Sequence, residues 1–186
     1  YLRKHPLTGD QLPRMGTAGL VSIMQMRGQL STKNYNYGQF DDFDMVSGET
    51  LAEECNIVNK GCLSCPIKCA RTVDVDGKAV KGPELETLGL LGSGILNHDL
   101  PAILKWNYEL DELGMDTISA ASTLGYAMEA NEKGLWDNGL SFGSIDGISA
   151  LWQDIAYRRG IGNELANGSR WCSEKYGGKE FANHAK

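Results

Sequence analysis

Three of the chain's five cysteines lie within residues 62–69, in the stretch KGCLSCPIKCART. The spacing C-x2-C-x3-C places Cys62, Cys65 and Cys69 on one tight turn, where three thiolates can wrap a single soft metal centre. Gly61 and Pro66 favour the irregular backbone that such wrapping requires. This segment constrains the fold most, because it predicts a metal-binding turn at a fixed place in the chain.

Two kinds of metal site and one metal-free alternative fit these cysteines. A structural zinc site needs four nitrogen or sulfur ligands, usually as two separated pairs, and no second pair follows the triplet. An iron–sulfur cubane also needs four ligands, and we favour it over zinc and over three reduced thiols buried beside a turn. Cys55 and Cys172 are candidates for the fourth ligand, although each also fits a half-buried helical thiol. A third answer is that the fourth ligand lies outside this chain.

Charge and hydropathy argue against several other classes of protein. The net charge of -6 and the pI near 5.1 oppose the clustered basic surface of a nucleic-acid-binding protein. The longest apolar run, residues 88–96, is shorter than the roughly 20 residues that a membrane helix requires. An odd number of cysteines cannot pair completely in internal disulfides. We therefore expect a cytoplasmic protein without a nucleic-acid or membrane partner.

The sequence reads as a single domain with three consecutive regions. Residues 1–60 combine irregular segments, rich in Gly, Asn, Ser and Thr, with the first helices. Residues 61–82 contain the cysteine turn and then a β-hairpin, in which alternating valine and polar residues flank Asp76 and Gly77. Residues 83–186 predict a helical bundle. The expected fold class is therefore mainly α, a multihelical domain with one small β-hairpin after the cysteine turn.

Start and stop signals mark the individual helices. Three residues are each predicted to cap the start of a helix: Ser47, Asp99 and Asp116. Gly114 is predicted to end the helix that Asp99 begins. In the following helix we expect Ile118, Ala121 and Met128 to face the core. Two further segments, residues 144–160 and 162–178, predict the remaining helices of the bundle.

Several motifs together resemble the aldehyde ferredoxin oxidoreductase family of tungsten-pterin enzymes. GCLSCPIKCAR is followed by GPELETLGLLGS, DELGMDTIS and GYAMEANEKG, in the family's order and nearly at its spacing, and GTAGLV and IAYRRGIGNELANGSRW also match. Family members have an N-terminal β domain and two following multihelical domains. This chain is similar to the first helical domain only, which implies a fragment of a larger oxidoreductase whose other two domains are its partners in the full-length chain.

The resemblance implies a role for each motif. The cysteine turn supplies three ligands of a [4Fe-4S] cluster, which implies Cys62, Cys65 and Cys69, and the fourth ligand comes from the later helical domain. The implied reaction is the oxidation of aldehydes to carboxylic acids at a tungsten or molybdenum bis-pterin, with electrons passed through the cluster to ferredoxin or an electron-transfer subunit. We do not expect an isolated segment of this length to retain its cofactors.

Acidic residues carry the remaining implied roles. The family's D-x-x-G-x-D motif binds pterin, which implies Asp111, Gly114 and Asp116, and for Asp116 this role is compatible with capping a helix. Glu86 matches the spacing of the family's glutamate near the metal better than Glu84, which implies a proton-accepting carboxylate. The plain alternative for Glu86 is an acid in a loop. For the whole domain, the alternative is a zinc- or cluster-stabilised interaction domain without catalysis.

Overall fold

The computed structural model describes residues 1–184 and is mainly helical. Its α-helices, in chain order, are α1 (Leu12–Met15), α2 (Leu20–Met26), α3 (Gly48–Glu54), α4 (Leu85–Leu91), α5 (Leu100–Glu112), α6 (Thr117–Glu132), α7 (Ile148–Ala156), α8 (Gly162–Leu165) and α9 (Gly168–Tyr176). The 3-10 turns are Leu2–Lys4, Gly16–Gly19, Phe43–Val46, Ser93–Ile95 and Lys179–Phe181, and Pro6–Gln11 is a π-helix. The strands are β1 (Val58–Lys60), β2 (Ala70–Val75) and β3 (Lys78–Lys81). Positions 185 and 186 of the predicted bundle lie outside the described residues.

Strands β2 and β3 form the predicted hairpin. Asp76 has a φ of 52° and Gly77 a φ of 77°, and two positive φ values in succession are what a type I′ turn requires. The Asp74 side chain accepts a hydrogen bond from the Gly77 N–H at 3.0 Å, which closes the turn. The predicted fold class, mainly α with a small hairpin after the cysteine turn, is therefore confirmed.

Strand β1 extends this hairpin on the other side of β2 and was not predicted. It runs antiparallel to β2, with Val58 opposite Thr72 and Lys60 opposite Ala70. All residues of β1 are exposed, so the strand has no alternation of apolar and polar residues by which it could be recognised. Its pairing with β2 closes the base of the loop that carries the cysteines.

The predicted helix caps are confirmed and fix the junction between α5 and α6. Each cap accepts a hydrogen bond from the backbone N–H three residues further on: Ser47 at 3.1 Å, Asp99 at 2.9 Å and Asp116 at 2.7 Å. Gly114 has a φ of 68° and follows the last turn of α5, as predicted. The sequence DELGMD is consequently held between two defined helix ends.

Helix α6 packs in the centre of the helical region. Ala121 and Met128 are 1% exposed, as predicted, and Trp106 of α5 meets Trp152 of α7 edge to face, with ring centroids 6.5 Å apart. The prediction that Ile118 also faces the core is wrong, since this side chain is 45% exposed. The Ile118 side chain lines a cleft beside the first turn of α6, so it stays accessible to solvent.

Two helical segments also differ from the sequence reading. Residues from Leu85 onward form α4, where the sequence suggested an acidic loop; this short helix is stabilised by burial, with Leu88 and Leu91 0% exposed. The helix predicted over residues 162–178 is divided into α8 and α9, because Gly168 adopts a φ of 83°. Within residues 1–184, no helix combines the length and apolar character needed to cross a bilayer.

Candidate metal and cofactor site

The cysteine loop, residues 61–69, joins β1 to β2. A Cβ at Gly61 would lie 2.8 Å from the Cα of Lys68, so glycine is what lets the two ends of the loop approach this closely. The Cys65 N–H donates to the Cys62 carbonyl at 3.0 Å, which makes a tight turn between the first two thiols. Cys62 is exposed, and Cys65 and Cys69 are half-buried free thiols. The structure thus presents all three predicted ligands on one loop.

The side chains of the cysteine loop are not arranged as metal ligands in this structure. In the part of the chain that the structure describes, no group of three or more His, Cys, Asp or Glu side chains is arranged to hold a metal ion. The assignment of Cys62, Cys65 and Cys69 as cluster ligands therefore stays a prediction. The prediction applies to the full-length protein with its cluster bound.

The two remaining cysteines lie in different surroundings. Cys55 is half-buried at the end of α3, and burial, with Glu54 nearby, raises the pKa of its thiol. Cys172 is 0% exposed in α9 and packs with Tyr126 and Phe181. Burial raises the pKa of Cys172 to about 11, so the thiol is protonated at neutral pH. Cys172 is therefore a core residue of α9.

Sequence reasoning missed Arg71, which lies directly behind the cysteine loop. Its guanidinium Nη2 donates to the Cys69 carbonyl at 2.7 Å, and a Cβ at Gly16 would lie 1.4 Å from that same nitrogen. Burial lowers the pKa of Arg71, and negative charge at Glu84 and Cys69 acts in the opposite direction. The signal that could have found it is an arginine at an inward position of β2, where the alternation calls for an apolar residue.

A cleft of about 210 Å³ lies between α4, the end of α5 and the start of α6. Its lining includes Glu84, Glu86, Asp111 and Asp116. Glu86 comes from the first turn of α4, Asp111 from the last turn of α5, and Asp116 is the cap of α6. The structure therefore brings the predicted catalytic residue and both predicted pterin-binding carboxylates to one place.

Asp116 lines this cleft, and Gly114 lies in the turn just before it. Hydrogen bonds from Ser119 hold the pKa of the Asp116 carboxyl below its ordinary value, so it remains ionised and able to accept further hydrogen bonds. The Gly114 N–H donates to the Asp111 carbonyl at 3.1 Å, as is usual at a helix C-terminus. This N–H is therefore used within the chain, and Gly114 lies in the turn between Asp111 and Asp116, outside the lining of the cleft.

Glu84 and Glu86 are distinguished by their neighbours. Glu84 precedes α4 and accepts a hydrogen bond from the Thr17 hydroxyl, which in turn accepts from the Leu85 N–H at 3.1 Å. Glu84 is therefore tied to the segment that contains the GTAGLV motif. Glu86 is exposed on the first turn of α4 and lines the cleft. Both carboxylates line the cleft, but Glu86 is the more exposed, and the Glu84 carboxylate already accepts a hydrogen bond from Thr17.

Comparison with known proteins gives a consistent result over the whole chain. Residues 1–186 match the family model described as "Aldehyde ferredoxin oxidoreductase, domains 2 & 3". The tungsten-containing aldehyde ferredoxin oxidoreductase of Thermococcus kodakarensis is 38% identical over 193 residues, a match that covers 100% of this chain and 32% of that protein. The enzyme of the same name from Pyrococcus furiosus is 37% identical over 190 residues, covering 97% of this chain and 31% of that protein.

A solved structure is similar in fold as well. The one described as "Active site complex BamBC of Benzoyl Coenzyme A reductase in complex with 1,5 Dienoyl-CoA" matches with a TM-score of 0.66 and 20% sequence identity, covering 92% of this chain and 28% of that chain. At this identity the likeness concerns the fold alone.

The chain belongs to the aldehyde ferredoxin oxidoreductase family. It spans about a third of the length of the curated relatives it matches, whose names identify them as tungsten-containing oxidoreductases. The recognition made from the sequence motifs is therefore confirmed.

The residues present fit the cofactors that this family implies. Three thiols on one loop are soft ligands of the kind that iron–sulfur clusters use. Behind them, Nε and Nη1 of Arg71 are buried and have no hydrogen-bond partner among the described residues, which suits an anionic group bound nearby. The ionised Asp116 and the neighbouring Asp111 offer oxygens to the amino and ring N–H donors of a pterin.

Proposed function

We propose that this chain is the helical domain of an oxidoreductase that converts aldehydes to carboxylic acids. When bound, a tungsten or molybdenum bis-pterin supplies the two-electron oxidation, and a [4Fe-4S] cluster passes the electrons singly to ferredoxin or an electron-transfer subunit. The single observation that carries this proposal is the cleft, because it gathers Glu86, Asp111 and Asp116 from three helix ends in a chain of this family.

Each group of site residues has its own proposed role. Cys62, Cys65 and Cys69 would bind the cluster from the loop between β1 and β2. Asp111 and Asp116 would orient the pterin by accepting its N–H groups. Oxidation of an aldehyde with water to an acid releases two electrons and two protons for each carbonyl, so a base is needed at the reacting carbon. Glu86 would accept one of these protons at its carboxylate oxygen.

The remaining parts of the proposal concern the surroundings of the domain. We place it in a longer chain, with an N-terminal β domain before it and a further helical domain after it that supplies the fourth cluster ligand. We place that protein in the cytoplasm, which is supported by the free thiols of Cys55, Cys62, Cys65, Cys69 and Cys172, as expected in a reducing compartment.

The proposed function is tested by steady-state oxidation of a panel of aldehydes by the full-length protein. The protein should be purified without oxygen and assayed with an artificial electron acceptor, and acid formation should match acceptor reduction. We expect turnover with at least one aldehyde class. No oxidation of any aldehyde by protein that contains metal and pterin would overturn the aldehyde assignment and leave the family assignment intact.

Replacing Asp111 or Asp116 with alanine is expected to lower the pterin and tungsten content of the full-length protein. The reason is that each change removes a carboxylate that would accept pterin N–H groups. For Asp116, loss of a helix cap alone would cost about 1 kcal/mol of stability and leave the cofactor bound. Pterin should be measured by fluorescence after extraction, and helix content by circular dichroism.

Asp99→Ala is a matched control for these variants. Asp99 caps α5 in the same way that Asp116 caps α6, but it lies outside the lining of the cleft. We expect this variant to lose a similar amount of stability and keep its pterin. Full pterin occupancy in both Asp111→Ala and Asp116→Ala would reduce the D-x-x-G-x-D motif to a structural role.

A further inference from the structure

Arg71 has a position that a charged side chain rarely occupies. It points inward from β2 in alternation with Val73 and Val75, and it is 2% exposed. Arginine is almost never this deeply buried unless it is paired with an anion. The strand alone would be more stable with an apolar residue there, so the guanidinium calls for another explanation.

The surroundings of Arg71 are shaped to admit its guanidinium. Gly16 and Gly82 flank the side chain, and a Cβ at either position would lie within 3 Å of it, at 1.4 Å from Nη2 for Gly16 and 2.8 Å from Cγ for Gly82. The Cβ at Gly16 would also lie 2.2 Å from the Cys69 carbonyl oxygen. The GTAGLV motif, which begins at Gly16, therefore packs against both the arginine and the cysteine loop.

Only part of the hydrogen-bonding capacity of Arg71 is used. Nη2 donates to the Cys69 carbonyl, whereas Nε and Nη1 are enclosed without a partner among the described residues. The negative charge of Glu84 acts on Arg71, but the Glu84 carboxylate accepts its hydrogen bond from the Thr17 hydroxyl. A buried cation without a bonded anion destabilises the folded protein, because its loss of hydration is not compensated. A buried arginine of this kind is explained if its positive charge stabilises an anionic group that binds close by.

We propose that Arg71 is a positioning residue that fixes the cysteine loop through the Cys69 carbonyl and raises the reduction potential of the cluster held there. This inference rests on the proposed function, because it requires a [4Fe-4S] cluster on the loop. Reduction adds one negative charge to the cluster, and a fixed positive charge in a buried place favours the reduced form. Since the guanidinium is enclosed by protein, its charge acts on the cluster through space.

The test is an EPR-monitored redox titration of the full-length protein with Arg71→Met, which removes the charge and keeps an apolar side chain in the strand. We expect the iron content to be retained and the reduction potential to become more negative. The expected shift is at least tenfold in the reduction equilibrium, about 59 mV for one electron. The control is Lys60→Met, which removes an exposed positive charge from β1 beside the same loop. That charge is screened by solvent, so the potential should stay within a few-fold of the unchanged protein.

The outcomes separate this inference from the proposed function. An unchanged potential in Arg71→Met with full iron content overturns the inference alone, and the absence of a cluster from the unchanged protein overturns both. If Arg71→Met loses its iron, the iron content of Arg71→Lys is measured next. Lysine keeps the positive charge, so this variant separates loss of the charge from loss of the fold. Retention of the cluster by Arg71→Lys supports the inference. Loss of iron together with loss of the folded circular dichroism signal in both variants would make Arg71 a residue of the fold and contradict it.

Discussion

Replacing Cys62, Cys65 or Cys69 with serine in the full-length protein is expected to abolish the EPR signal of a reduced [4Fe-4S] cluster. Each change puts a hard hydroxyl where a soft thiolate is required, and a cubane that lacks one of its four ligands is not held stably. The bound iron should fall in parallel. The measurements are EPR of the dithionite-reduced protein and the iron content per chain.

Two cysteines of the same chain serve as controls for this experiment. Cys172→Ser should leave the signal intact, because that thiol is protonated and packed in the core with Tyr126 and Phe181. Cys55→Ser should also leave it intact if the fourth ligand comes from the later helical domain. An unchanged signal in all three variants of the cysteine loop would show that the cluster is held elsewhere.

Glu86→Gln is expected to lower the turnover of aldehydes on the order of 10²-fold or more, with the metal and cluster content intact. Glutamine keeps the size of the side chain and most of its hydrogen bonding but cannot accept the proton that oxidation releases. Because Glu86 is exposed on the first turn of α4, the substitution should not disturb the fold. The measurement is the steady-state rate over a panel of aldehydes, alongside metal analysis.

Glu84→Gln is the matched control, two residues away at the same helix end. The two side chains differ by a large rotation about the helix, and the Glu84 carboxylate is engaged by the Thr17 hydroxyl. We therefore expect a much smaller effect on turnover. Near-normal rates in Glu86→Gln on a good substrate would make Glu86 a surface acid, and the catalytic assignment in this domain would be wrong.

The features that the sequence predicts correctly are local ones. The caps at Ser47, Asp99 and Asp116 and the turn at Asp76 and Gly77 are each encoded within about four residues. Their hydrogen bonds join groups three residues apart, so they do not depend on distant parts of the chain. The helix junction that holds the D-x-x-G-x-D motif can therefore be located from the sequence.

The features that the sequence does not reveal depend on distant contacts. Thr17 and Glu84 are 67 positions apart, and only the fold brings them together. Strand β1 exists because β2 pairs with it, and Ile118 is exposed because its side of α6 faces the cleft beside α4. Arg71 was missed for the same reason, since its burial depends on Gly16 from another segment of the chain.

Metal and pterin analysis of the full-length protein, purified without oxygen, distinguishes a cluster- and pterin-bearing oxidoreductase from a zinc-stabilised interaction domain. We expect about four iron atoms per chain, together with tungsten or molybdenum and pterin, and no stoichiometric zinc. Zinc as the bound metal, with neither tungsten, molybdenum nor pterin, would contradict it. The cysteine loop would then stabilise an interaction domain without catalysis.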